Sequence, residues 1–128
     1  MTGGSGKDTV NGNSGFDRLL GGKGDDRLSG GSAHDRVLGE NGNDVIFGGK
    51  GGDSLFGNRG NDTISGGSGK DHISGGKGKD KIRGGSGNDQ IRVRDGKRDK
   101  VNCGSGTKDR VRADHKDVIA SNCEFVSF

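Results

Sequence analysis

From Gly3 to Arg92 the chain repeats every nine residues, with one apolar and one acidic position held in fixed phase through ten units. The eighth residue of each unit is aliphatic: Val10, Leu19, Leu28, Val37, Ile46, Leu55, Ile64, Ile73, Ile82 and Ile91. The sixth is always aspartate: Asp8, Asp17, Asp26, Asp35, Asp44, Asp53, Asp62, Asp71, Asp80 and Asp89. A glycine-rich opening supplies positive φ angles at little cost, and three closing residues alternate out, in, out. The pattern therefore predicts a turn over the first six residues of each unit and a short strand over the last three, with position eight facing inward.

Composition taken alone points elsewhere. Only 23% of the 128 residues are hydrophobic, 30% are charged, 30 are glycine, and Trp, Tyr and Pro are absent, which is the profile of a disordered chain. A disordered linker has no reason to keep an acid and an aliphatic residue in phase through ten units, and collagen requires a period of three with proline. No run of ten apolar residues occurs, so neither a membrane span nor the apolar segment of a signal peptide is expected within these residues.

The units GGKGDDRLS, GGSGKDHIS and GGSGNDQIR resemble the GGxGxDxUx nonapeptides of the repeats-in-toxin family, U being a large apolar residue. The resemblance covers residues 3–92 and implies an all-β fold, a right-handed parallel β-solenoid or β-roll in which two units complete one coil. About five coils are expected, odd units lining one side and even units the other, as two parallel sheets stacked at roughly 4.8 Å over a thin aliphatic core. The domain organisation read from the sequence is a β-roll over 1–92 and a cap over 93–128.

The same resemblance implies calcium, and the charges agree. Stacked coils would bring aspartates of alternate units together, where carboxylates about 5 Å apart repel by roughly 1 kcal/mol per pair even in water. A Ca²⁺ ion takes six to eight oxygens, which carboxylates and glycine-freed carbonyls can supply; Mg²⁺ demands a tighter octahedron and holds its water. The ten aspartates are the expected ligands. Two columns, Asp8, Asp26, Asp44, Asp62, Asp80 and Asp17, Asp35, Asp53, Asp71, Asp89, leave room for up to eight sandwiched ions. Folding is then expected to depend on calcium.

Four residues depart from the glycine pattern: Asn13, Glu40 and Asn58 at position two and Ala33 at position four. Ala tolerates left-handed geometry less well than Asn, so the sites flanking Asp35 are expected to be the weakest. Leu20, Leu38 and Phe56 occupy position nine of successive even units and predict an apolar ladder ended by Ser74 and Arg92. Cross-strand packing is the simpler use of that ladder; a docking patch is the alternative. Lys23, Arg59 and Lys77 share a turn column, Arg18 and Arg36 a strand face, and the chain carries a formal charge of +3, so the calcium-loaded form would attract anions. No aromatic interleaving supports specific nucleic-acid recognition. His34, His72 and His115 fall at unrelated phases and read as surface residues.

Beyond Arg92 the register breaks, yet Asp-x-aliphatic pairs persist as Asp99/Val101, Asp109/Val111 and Asp117/Ile119. These read as degenerate coils, with Val118, Phe125, Val126 and Phe128 available to cover the last rung. Cys103 and Cys123 would close a loop of about twenty residues, stabilising by roughly 3 kcal/mol if bonded. Zinc is the rival, for which these two and His115 fall one ligand short, and free thiols are the third possibility. A disulfide is the expectation and suits an extracellular protein. The segment is similar to tails that follow such repeats in some secreted bacterial proteins.

No nucleophile and base pair is visible, and GGSGKD does not make a phosphate loop because Asp71 stands where Ser or Thr is required. The function expected is that of a non-enzymatic, secreted calcium-binding structural module that folds on Ca²⁺ outside the cell, attached to a larger polypeptide. The alternative is an adhesion module whose outer faces contact an anionic polysaccharide, lipid or protein. An ice-binding solenoid would need a regular ladder of Thr or similar groups, and Lys50 interrupts the only candidate, Ser14, Ser32, Ser68 and Ser86.

Overall fold

The computed structural model describes all 128 residues. Fifteen strands follow one another with no helix between them: β1 (Thr2–Ser5), β2 (Thr9–Asn11), β3 (Arg18–Lys23), β4 (Arg27–Ser32), β5 (Arg36–Asn41), β6 (Val45–Lys50), β7 (Ser54–Arg59), β8 (Thr63–Ser68), β9 (His72–Lys77), β10 (Lys81–Ser86), β11 (Gln90–Arg92), β12 (Lys100–Ser105), β13 (Arg110–Arg112), β14 (Val118–Ile119) and β15 (Phe125–Ser127). Odd strands form one eight-stranded parallel sheet in chain order and even strands form a seven-stranded one. The chain is thus an all-β parallel solenoid of about seven turns, two more than the unbroken repeat implies, because residues after Arg92 continue to wind.

Register is one full coil per rung, Leu19 pairing with Val37 and Val37 with Leu55 on one sheet, Leu28 with Ile46 and Ile46 with Ile64 on the other. The ten position-eight residues are all buried, and Val101 and Val111 continue their two rows. Between the sheets the backbone goes on bonding coil to coil: Gly24 N–H donates to Asn41 O at 2.9 Å, and Arg36 N–H to Asp17 O at 2.8 Å. Such turns satisfy the backbone groups that a glycine-rich loop would otherwise leave to water.

Full-length strands are six residues, not three, running from position seven of one unit through position three of the next. Position one therefore faces inward as well. Glycine fills it from Gly12 to Gly84, and there is no room for more: a Cβ on Gly30 would stand 2.6 Å from both the Asp35 Oδ2 and the Gly48 carbonyl oxygen. After the repeat ends, the same inward position is held by Val93, Cys103 and Ala113, all fully buried. The path from Val93 to Asp99 and from Cys103 to Asp109 is one residue longer than from Gly84 to Asp89, which makes room for those side chains.

Cys103 and Cys123 are joined in a disulfide, with Cα atoms 5.2 Å apart. No thiolate remains for zinc, and His115 stacks on Phe128 instead of approaching the sulfurs. The last rung is packed by Ile119, Cys123 and Val126. Val118, Phe125 and Phe128, expected to help cover it, are 43%, 56% and 59% exposed. Val118 and Phe125 open their strands at outward positions, one residue before the inward Ile119 and Val126.

Candidate metal centre

Each repeat aspartate follows the turn and precedes the strand, so its side chain enters the space beneath the inward glycine of its own coil. Eight of the ten, Asp26 through Asp89, are at most 4% exposed. Asp8 and Asp17, in the first coil, are partly exposed. The two columns predicted from the period exist. One carboxylate oxygen is spoken for: Asp8 N–H donates to Asp26 Oδ1 at 2.8 Å, Asp26 to Asp44 at 2.9 Å, Asp44 to Asp62 at 2.8 Å and Asp62 to Asp80 at 2.8 Å. The second column repeats the arrangement from Asp17 through Asp35, Asp53 and Asp71 to Asp89, at 2.8–2.9 Å.

The other oxygen of every one of these carboxylates is buried and accepts no hydrogen bond. Its neighbours are acceptors too. The Asp26 Oδ2 and the Gly39 carbonyl oxygen stand 2.7 and 2.5 Å from the place a Cβ on Gly21 would occupy. A buried charged oxygen among carbonyl oxygens is costly unless a proton or a cation joins it. Oxygen donors alone, several of them backbone, match the preference of a hard divalent ion and not of zinc or copper. No cluster of three or more His, Cys, Asp or Glu side chains forms, so side chains alone do not make up the six to eight oxygens of a calcium shell.

The electrostatics carry the same message. Burial pushes Asp62, Asp71 and Asp99 up to about 7 and Asp44, Asp53, Asp80 and Asp89 up to about 6. Asp35 and Asp109 are raised by the same cause. The backbone donor from the preceding coil opposes the rise at each, and for Asp62 the charges of Asp80 and Asp44 add to it.

Both columns extend past the repeat. Asp80 N–H donates to Asp99 Oδ1 at 2.7 Å and Asp89 N–H to Asp109 Oδ1 at 2.8 Å, and the second oxygens of Asp99 and Asp109 are also buried without a donor. Asp117 and Glu124 close the columns by accepting from Asp99 and Asp109. The sequence signal for Asp99 and Asp109 was the surviving Asp-x-aliphatic pair; Glu124 keeps the same spacing to Val126, with glutamate in place of aspartate.

The four departures from glycine all lie at positive φ: Asn13 at 73°, Ala33 at 82°, Glu40 at 78° and Asn58 at 76°. His34 Nδ1 accepts from Gly52 N–H at 2.8 Å and its ring stacks with Phe16 at 5.8 Å, so it serves a turn rather than a metal. His34, His72 and His115 are exposed. Leu20, Leu38 and Phe56 lie side by side in register, half-buried, and Arg36 lies 5.0 Å from the Phe56 ring centroid.

A parallel solenoid of nine-residue units, with two columns of inward carboxylates that each keep one buried oxygen free of any donor, has the architecture of a calcium-binding β-roll. The model of the RTX calcium-binding nonapeptide repeat matches the chain in four overlapping copies, over residues 2–37, 29–64, 38–73 and 56–91. The chain belongs to that family, a structural family of calcium-binding repeats that are typically found in secreted bacterial proteins. No curated protein matches it at a significant level.

Proposed function

We propose that this module is a calcium-triggered folding element, unwound at low calcium and rigid in the calcium-rich medium outside the cell, where it supports the polypeptide to which it is attached. The buried, donor-free Oδ2 row carries this reading. Asp8, Asp26, Asp44, Asp62 and Asp80 would hold ions along one edge, and Asp17, Asp35, Asp53, Asp71 and Asp89 along the other, with turn carbonyls completing each shell. Calcium supplies the positive charge that lets carboxylates on adjacent coils stay ionised in a buried place.

The gaps between the repeat aspartates number eight, and the two gaps that end at Asp99 and Asp109 add one to each column. Residues 93–128 act as the cap of this roll: Val93, Cys103 and Ala113 replace inward glycines with apolar side chains, and the disulfide ties the last coil to the one before it. Calorimetric titration of the chelated chain tests the stoichiometry. Binding of roughly eight to ten Ca²⁺ with a large heat of coupled folding is expected, and one or two independent ions with no folding heat would refute the reading.

A further inference from the structure

The outer face of the odd-strand sheet changes character along the stack. Its ninth-position column runs, in register, Leu20, Leu38, Phe56, Ser74, Arg92, Arg112 and Ser127, and the column beside it passes through Gln90 and Arg110 to Phe125. Ser74 is the small residue between an aromatic ring and the first arginine. It leaves a depression of about 310 Å³ bordered by Phe56, Gln90, Arg92, Arg110 and Arg112, and no acidic residue lines it.

Stability does not require this arrangement. Like charges on neighbouring rungs, roughly 5 Å apart, disfavour a sheet. The arginines are exposed and contribute nothing to the aliphatic interior or to the carboxylate columns. Phe56, meanwhile, is held from its other flank by Arg36, so it forms a fixed wall. We propose that this depression binds an acidic saccharide unit, its carboxylate or sulfate on the Arg92, Arg110 and Arg112 guanidinium groups, its apolar ring face against Phe56 and its hydroxyls on Ser74 and Gln90.

Guanidinium forks select planar or tetrahedral oxyanions through paired hydrogen bonds. The aromatic wall and the neutral polar floor distinguish a sugar from a bare anion. The volume falls at the small end of ligand sites, roughly 300–1,000 Å³, and suits one or two sugar rings. Strands β7, β9, β11 and β13 each come from a different coil, so the site exists only in the wound chain and rests on the calcium-coupled folding proposed above.

The test is calorimetry on the full chain at saturating calcium and physiological salt. The probes are a glucuronate-containing trisaccharide, a neutral glucose trisaccharide and inorganic sulfate. The acidic trisaccharide is expected to bind at least about tenfold more tightly than either of the others, as the loss of charge-assisted hydrogen bonds or of the ring contact requires. Arg92→Gln combined with Arg112→Gln is expected to weaken it by about tenfold or more with an unchanged circular dichroism spectrum in calcium. Removing equal charge from the opposite sheet, through Arg83→Gln with Lys100→Gln, is expected to weaken it less than about threefold, the size of a screened long-range effect. Ser74→Leu keeps every charge but fills the depression and is expected to abolish binding.

No binding by the folded chain, equal losses from the two arginine and lysine pairs, or sulfate matching the saccharide would each overturn the proposal. Saccharide binding that survives chelation of an intact solenoid would sink calcium-coupled folding and leave the site standing. A chain that folds on calcium and ignores the saccharide does the reverse.

Discussion

The carboxylate at position six uses its two oxygens differently, and most of the chemistry of the chain follows from that. From Asp26 onward Oδ1 accepts the backbone N–H of the coil before it, and Oδ2 is buried with no donor, on the side of the inward glycine that a carbonyl oxygen also faces. Asparagine can still offer the first contact but supplies no charge to the second. Asp53→Asn, in the middle of its column, is therefore expected to raise the calcium concentration needed for folding while leaving the chelated chain no less structured; a calcium titration followed by circular dichroism reads both. The raised carboxylate values add a pH dependence. Their winding-state values, about 6 to 7, lie above the ordinary value of about 3.9. Winding without calcium thus takes up protons, so the stability this contributes is full below about pH 4 and is lost as pH rises through 6 to 7. In chelator the β signal should grow on acidification from pH 8 to 4.5, and in calcium the midpoint should move to higher concentration over the same change. A chelated chain that loses structure in acid would contradict this.

Residue-scale departures were legible because positive φ is costly for side chains. All four non-glycine residues at positions two and four are left-handed, and Ala33 has neither the side-chain amide of Asn nor the absent Cβ of Gly to ease it. Ala33→Gly is expected to stabilise the calcium-loaded roll by about 1 kcal/mol, read from chemical denaturation at fixed calcium.

At the scale of the strand, the sequence discloses the inward aliphatic row and conceals the rest. Position eight is legible because Val, Leu and Ile at a fixed spacing have no other use in so polar a chain. The extension of each strand into the next unit is not, because a glycine pair is poor strand material by itself. It becomes strand here because coils approach closely enough for backbone to pair with backbone, and the inward glycine is what permits the approach. Gly30→Ala should accordingly be more damaging than its one methyl suggests: the added Cβ meets the Asp35 Oδ2 and the Gly48 carbonyl at 2.6 Å, both held in ladders that cannot give way singly. The expected result is a loss of several kcal/mol, at least matching the roughly 2–5 kcal/mol of Ile46→Ala. Denaturation of the two variants side by side checks the order. The last coils were half legible. Asp99 and Asp109 kept their aliphatic partners Val101 and Val111, whereas of the inward Val93, Cys103 and Ala113 the last two fall outside the nine-residue phase, since the turns after Val93 and Cys103 are a residue longer.

For the whole molecule, the interior is thin: two rows of aliphatic side chains flanked on either edge by carboxylates and bare glycine backbone. Small folds of this kind need a staple, and a disulfide secures only the final coils. Charge along the axis is uneven as well. The carboxylate columns run from the first coil to the last, while the exposed arginines that border the depression beside Phe56 gather in the C-terminal half. The repeat made the solenoid and its metal legible from the chain alone, because both are properties of a column. The depression was not, because it arises where two columns, one apolar and one basic, meet at Ser74.

The most direct measurement is the far-ultraviolet circular dichroism spectrum of the chain at pH 7.5, first with excess chelator and then with calcium restored. Stacked carboxylates that repel one another until divalent ions separate them predict a largely unordered spectrum in chelator and a β spectrum, recovered reversibly, in calcium. A β spectrum that is already complete in chelator would contradict the account, since the solenoid would then stand without the ions to which its buried oxygens are assigned.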